Sequence, residues 1–185
     1  MRRLLVLVLL LAGCTTGKDA AQIGGGDFSL VAPGGQVNIR YAPADRKELK
    51  GLEGESLMED GRTVKLSDYA GKPVVINIWG AWCGPCRTEA PELQKVFDAG
   101  TQVLGVDVKE TSKDYPRDFM KDRSLTYPSI YDPSARSFVN VFKGLPPNTV
   151  PSTFIVDENH KVAAAFLEPV LASDLQKVLD ELAKE

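Results

Sequence analysis

Histidine, cysteine and long apolar runs are what this chain has least of. A single histidine, His160, makes a His-based metal site or a Ser–His triad hard to build. Three cysteines, Cys14, Cys83 and Cys86, are too few for a small disulfide-stapled scaffold. The longest apolar run, Leu4 to Ala12, has nine residues. A membrane-spanning helix needs roughly 20. Basic residues do not cluster: 22 Lys and Arg stand against 25 Asp and Glu, a net charge of -3. Nucleic-acid binding, which needs a basic face, is disfavoured. There is no glycine-rich phosphate loop and no P-loop lysine. A peroxidatic Thr-x-x-Cys is missing too, which argues against peroxide reduction.

What is there begins with an address. Met1-Arg2-Arg3 is a short positive segment, and Leu4 to Ala12 has the size of a signal-peptide apolar core. The run ends in Leu11-Ala12-Gly13-Cys14, which resembles the lipobox of bacterial lipoproteins. That resemblance implies a signal peptide over residues 1–13, a lipid on Cys14 and a membrane attachment. A plain secretory signal with a chance cysteine is the alternative. Without Arg2 and Arg3 the balance is 20 basic against 25 acidic residues. Thr15 to Gly26 lacks periodicity and reads as a tether.

Residues 14–54 are expected to be tether and N-terminal arm. Phe28, Leu30, Val37, Ile39 and Tyr41 alternate weakly around the turn Pro33-Gly34-Gly35, as a β-hairpin or an extended arm would. Pro43 to Gly54 is charged and reads as a linker. A compact domain is expected over residues 55–185. Leu57-Met58 and Thr63 to Leu66 flank Asp60-Gly61, a hairpin signal. Val74 to Trp79 and Gln102 to Asp107 are apolar runs suited to a buried parallel sheet. A helix is predicted from Cys83 to Ala99, and another from Asp114, read as its cap, to Arg123. Ser129-Ile130-Tyr131 is a short strand, and Ser134 is read as the cap of a helix ending at Gly144. Two strands, Thr153 to Val156 and Val162 to Phe166, are joined by a polar turn in which His160 is read as a solvated residue. Ser173 and Gln176 form a capping-box pattern before the last helix. The order predicts an α/β fold with a mixed central sheet and helices on both faces.

Trp82-Cys83-Gly84-Pro85-Cys86 falls where a strand ends and a helix begins. Two cysteines in one helical turn can close a disulfide with little backbone movement. The first faces unpaired N–H groups and the positive helix end, which stabilise a thiolate. Cys83 is therefore expected to attack a partner disulfide, and Cys86 to resolve the mixed disulfide. A zinc site would need two more ligands, which Cys14 and His160 do not supply. A purely structural disulfide closing so short a loop would constrain the unfolded chain little.

The run Val74 to Cys86 resembles the thioredoxin superfamily. Asn77 through Pro91, with Glu89 three residues after Cys86 and Pro91 two further on, is similar to its TlpA/ResA branch. The 43 residues between Asp107 and Pro151 match that branch's central αβ insertion. The resemblance implies a thioredoxin-like fold with an N-terminal β-hairpin and the central insertion. It also implies a membrane-tethered thiol–disulfide oxidoreductase without cofactor or metal. Extracytoplasmic protein disulfides or dithiols would be its partners, and a membrane electron donor of CcdA/DsbD type would recharge it. Val150-Pro151 resembles the cis-proline segment that lies opposite the cysteines and pairs with an extended substrate. Thioredoxins carry a buried Asp where this chain has Asn77, so Glu89 becomes the candidate carboxylate helper, with a solvated helix glutamate as the alternative. Trp82 is either an apolar platform over the disulfide or a core residue.

Reduction of extracytoplasmic disulfides, as in cytochrome c maturation, is the leading expectation; disulfide formation is the alternative. A Sco-like copper chaperone would need a CxxxC and a downstream His ligand that this sequence does not offer. The lipid reading is checked by fractionating bacteria that express wild type and Cys14→Ala. Wild type is expected in the membrane with Cys14 blocked to thiol reagents, and Cys14→Ala unprocessed. A soluble wild type with a free Cys14 thiol would sink it.

Overall fold

The computed structural model describes residues 27–185. The predicted signal peptide, Cys14 and the tether through Gly26 lie outside the described residues. Eight strands and four α-helices follow in the order β1 (Asn38–Arg40), β2 (Glu53–Glu55), β3 (Thr63–Lys65), β4 (Val74–Trp79), α1 (Gly84–Asp98), β5 (Gln102–Val108), α2 (Asp114–Asp122), β6 (Ser129–Asp132), α3 (Arg136–Asn140), β7 (Ser152–Val156), β8 (Val162–Phe166) and α4 (Ala172–Leu182).

Six strands form one mixed sheet in the order β1-β8-β7-β4-β5-β6. The strands β4, β5 and β6 run parallel, β7 pairs antiparallel with β4, and β8 pairs antiparallel with β7. The central strand β4 is buried along its whole length, so both of its faces must be apolar. Alternate residues feed two cores. Val74, Ile76 and Ile78 face one side with Phe138 of α3 and residues of the arm. Val75 and Trp79 face the other side with Leu93, Phe119 and Leu175 of α1, α2 and α4. The α/β class, the mixed sheet and the helices on both faces are as expected.

The arm is extended. Its two halves do not pair with each other. Phe28 N–H donates to Glu48 C=O, Leu30 N–H to Lys143 C=O, and β1 adds to the sheet edge against β8. Phe28, Leu30 and Ile39 are buried because they cover the apolar side of β7 and β8. The N-terminal hairpin is instead β2–β3, with Glu53 opposite Lys65. Its first strand lies before Leu57-Met58; Leu57 is wholly buried and Gly61 turns at φ 76°. The segment read as a linker buries Leu49 and Leu52 and bonds to the β7–β8 turn through Leu49 N–H to His160 C=O. Its charges point outward while those two leucines cover the core, a pattern too sparse to read as periodicity.

Three helix starts differ from expectation. Lys113, not Asp114, holds the N-cap place of α2, and Asp114 is its first helical residue. Asp132 rather than Ser134 caps α3, accepting from Arg136 N–H and Ser137 N–H. The last helix starts at Ala172, whose N–H is taken by Glu92 of α1, so Ser173 lies inside it. In each case an acid supplies the acceptor from outside the expected position or the chain enters the helix uncapped. His160 is half-buried in its turn, at φ 56°.

Gly105 in β5 shows how tightly the sheet packs beneath the site. A Cβ there would lie 2.6 Å from Ser129 Oγ and 2.8 Å from Trp79 Nε1, two atoms bonded to each other at 3.0 Å. Gly105→Ala is therefore expected to destabilise by about 1–3 kcal/mol, as overpacking does, read by denaturant unfolding. An unchanged midpoint would show that the pocket yields.

Candidate active site

The site lies at one edge of the sheet, where β4 and β5 end and β7 begins. Cys83 is the N-cap residue of α1, extended at φ -84°, ψ 109°, and its Sγ accepts the Cys86 N–H at 3.2 Å. Pro85 in the first turn lacks an N–H that would have no helical partner there. Cys83 and Cys86 are joined as a disulfide with Cα atoms 5.3 Å apart. Both are buried, at 4% and 2% exposure. A Cβ at Gly84 would meet nothing within 4 Å, so this position faces open space.

The Val150–Pro151 bond is cis. The Val150 carbonyl oxygen lies 3.8 Å from Cys83 Sγ, which puts the loop before β7 against the pair. Trp82 is 46% exposed, with its Nε1–H donated to Val108 C=O at 2.9 Å. It stands beside the disulfide rather than in the core. Gly80 makes this possible, because a Cβ there would fall on the Trp82 indole.

Glu89 is not a solvated helix residue. It is 2% exposed, one turn past Cys86 on the same helix face. Its Oε2 accepts Asn77 Nδ2–H at 3.1 Å, and its Oε1 accepts Thr153 Oγ1–H at 3.1 Å and Val170 N–H at 3.3 Å. Asn77 Nδ2 also donates to Thr153 Oγ1 at 2.9 Å, closing a triangle. Burial pushes the Glu89 carboxyl up to about 7, and the three hydrogen bonds oppose that rise only in part.

Four contributors escaped the sequence reading. Gly80 and the Val108 carbonyl set Trp82, Thr153 completes the triangle, and Glu110 accepts the Ala81 N–H at 2.7 Å. Of these, only Thr153 carried a signal, two residues past Pro151 and opposite Asn77 in the register.

A strand-to-helix dithiol pair, a facing loop before β7 and a buried carboxyl on the same helix define a thiol–disulfide oxidoreductase of thioredoxin-like fold. The chain belongs to the AhpC/TSA family, whose pattern matches residues 44–165. It is 31% identical over 127 residues to the thiol-disulfide oxidoreductase ResA of Geobacillus thermodenitrificans, covering 66% of this chain and 70% of that protein. A secreted thiol-disulfide isomerase from Corynebacterium glutamicum superposes with a TM-score of 0.83 at 39% identity, covering 87% of this chain and all (100%) of that one. A DsbF homologue from Corynebacterium diphtheriae superposes at 0.80 with 42% identity, covering 85% of this chain and 100% of that one.

The buried carboxyl gives a stability signature. Below its ordinary value of 4.5, Glu89 is protonated whether the chain is folded or not. Between 4.5 and about 7 only the unfolded chain loses that proton, so stability falls as pH rises; above about 7 the loss is complete. The full loss is about 3 kcal/mol. In oxidised protein, Glu89→Gln is expected to flatten this decline, read as the stability difference from wild type at stepped pH. Parallel curves would mean that Glu89 titrates as an ordinary carboxylate.

Proposed function

We propose that the protein is a lipid-tethered reductase of extracytoplasmic protein disulfides, with apocytochrome c among the substrates that fit, as in the ResA-like proteins. The observation that carries this reading is Cys83 as N-cap of α1, with its sulfur on the Cys86 N–H and beside the Val150 carbonyl. The names ResA and "secreted" borne by relatives support the reaction class and the location. No helix among the described residues is long and apolar enough to cross a membrane, so tethering rests on the lipobox-like run at Cys14.

The chemistry follows from the positions. The Cys83 thiolate attacks one sulfur of a substrate disulfide; a mixed disulfide forms and a substrate thiolate leaves. The Cys86 thiol then gives its proton to the Glu89 carboxylate, one turn along the helix, and attacks Cys83 Sγ. The substrate leaves as a dithiol and the pair closes to a disulfide. Two electrons from a membrane donor of CcdA/DsbD type restore it. A carboxyl pushed up to about 7 suits proton acceptance near neutral pH. The Val150 carbonyl beside Cys83 is the group that would pair with an extended substrate segment, since the Val150 N–H is taken by Asn148 C=O; Trp82 flanks it.

The second reading is disulfide formation, favoured by the two corynebacterial relatives, one called an isomerase and the other a DsbF homologue. One preparation tests both. With Cys86→Ser, mixed disulfides are expected to accumulate on Cys83, and with Cys83→Ser none; the reverse pattern would reassign the nucleophile. Equilibration with glutathione then fixes direction. A potential near the thioredoxin value of about -270 mV supports the reductase, and one near the DsbA value of about -120 mV overturns it.

A further inference from the structure

The end of β5 holds two acids that this chemistry leaves out. Asp107 is wholly buried, and neither carboxyl oxygen meets an N–H or O–H donor among the described residues. Glu110 is also buried and accepts the backbone N–H of Ala81, two residues before Cys83, at 2.7 Å. The two carboxyl groups lie within hydrogen-bonding reach of each other. Two carboxylates in such contact repel, whereas one proton between them makes a hydrogen bond. The neighbours do not relieve the repulsion. Asp132 at the end of β6 adds to it, and Tyr131 beside it is itself pushed up, first by burial and then by Asp107 and Glu110. Lys113 sits over the Tyr131 ring and gives its N–H groups to Glu55, Asp60 and Ser56. Trp79, opposite Asp107 on β4, spends its N–H on Ser129.

We infer that Asp107 is a protonated positioning residue: it donates to Glu110, so that the pair carries one negative charge that anchors the Ala81–Trp82 loop and so places Cys83. The functional half of this rests on Cys83 being the attacking thiol. Burial, reinforced by Glu110 and Asp132, pushes Asp107 up to about 9, so the proton stays in place at neutral pH. One anion beside the start of α1 opposes the Cys83 thiolate, which favours the disulfide over the reduced pair and makes the dithiol the stronger reductant. When Asp107 loses its proton to solvent, two anions meet with no donor between them, and the anchor under the loop gives way. Trp82, bonded to the carbonyl of the residue after Asp107, reports the change.

The test compares full-length wild type with Asp107→Asn and Asp107→Leu. Asn places an N–H where the shared proton was; Leu fills the space and donates nothing. Tryptophan emission and the unfolding midpoint of the oxidised protein are followed with pH, and alkylation of Cys83 in the reduced protein is timed at neutral pH. Wild type is expected to lose stability progressively as pH rises from 3.8 to about 9, where the Asp107 contribution is exhausted, and to shift its emission in a step centred at about pH 9; this part of the decline and the emission step are absent in Asp107→Asn. Alkylation in Asp107→Asn should match wild type to within about twofold, while Asp107→Leu changes it by about threefold or more. An alkaline step that survives in Asp107→Asn, or an Asn variant as altered as the Leu variant, would overturn the assignment. The mixed-disulfide trap is independent of this outcome: a failed trap beside an intact alkaline step indicts the role of Cys83, not the acid pair.

Discussion

A carboxyl group taken out of water must find donors or keep its proton, and Glu89 does some of both. Asn77 on β4, Thr153 on β7 and the Val170 N–H before α4 converge on it from three elements. The triangle therefore fixes how α1 sits on the sheet, and with it where Cys83 and Cys86 stand. It also explains the amide at position 77. Asn77 donates to two acceptors at once, Glu89 and Thr153. An Asp there would place a second carboxylate against the first, with Thr153 able to donate to only one of them. Removing any member leaves a buried polar group unmatched, a cost of about 1–3 kcal/mol.

The topology brings the remaining parts to the same edge. The strands β4 and β5 are parallel, so their carboxyl ends coincide, and the loops that leave them carry Ala81 to Cys83 and Val108 to Glu110. The antiparallel strand β7 begins at that same edge, which is why the loop before it, with Val150 and Pro151, meets Cys83. A crevice beyond the carboxyl ends of parallel strands is where open α/β sheets hold their sites. The β5 end serves as the joint of this arrangement. Val108 holds Trp82, Glu110 holds Ala81, and Lys109 reaches across to Pro147 C=O and Asn148 Oδ1 in the loop ahead of Pro151.

The central strands and α1 were legible because their signals are local. Val74 to Trp79 is apolar throughout, and a CxxC after such a strand has few other uses. The arm was less legible. Phe28, Leu30, Leu49 and Leu52 are isolated apolar residues among charges, and only the apolar side of β7 and β8 tells them where to go. Helix starts failed for a related reason: Asp132 caps α3 and Glu92 receives the first N–H of α4 from positions that local pattern does not mark. Glu89 was left open between two roles, because burial of a helix glutamate depends on Asn77 and Thr153, 12 and 64 residues away. Glu110 and Asp107 gave no signal at all, since their meaning lies in the backbone N–H groups of another loop.

Direction of electron flow follows from the charges around one sulfur. The start of α1 offers Cys83 an N–H and the positive end of the helix, which favours the thiolate and so the oxidising character of the disulfide. Gly84 and Pro85 add no cation. Arg87, next along, donates to the Tyr115 hydroxyl at 3.3 Å and to the Ala81 carbonyl at 3.5 Å and lies over the Phe119 ring. Against the helix stands the Glu110 carboxylate, held on the Ala81 N–H two residues before Cys83. Each 30 mV in a two-electron couple corresponds to about 1.4 kcal/mol, comparable to a single well-placed charge. One buried acid at the end of β5 is therefore of the right size to move this pair toward the reducing side without any change in the CGPC motif itself.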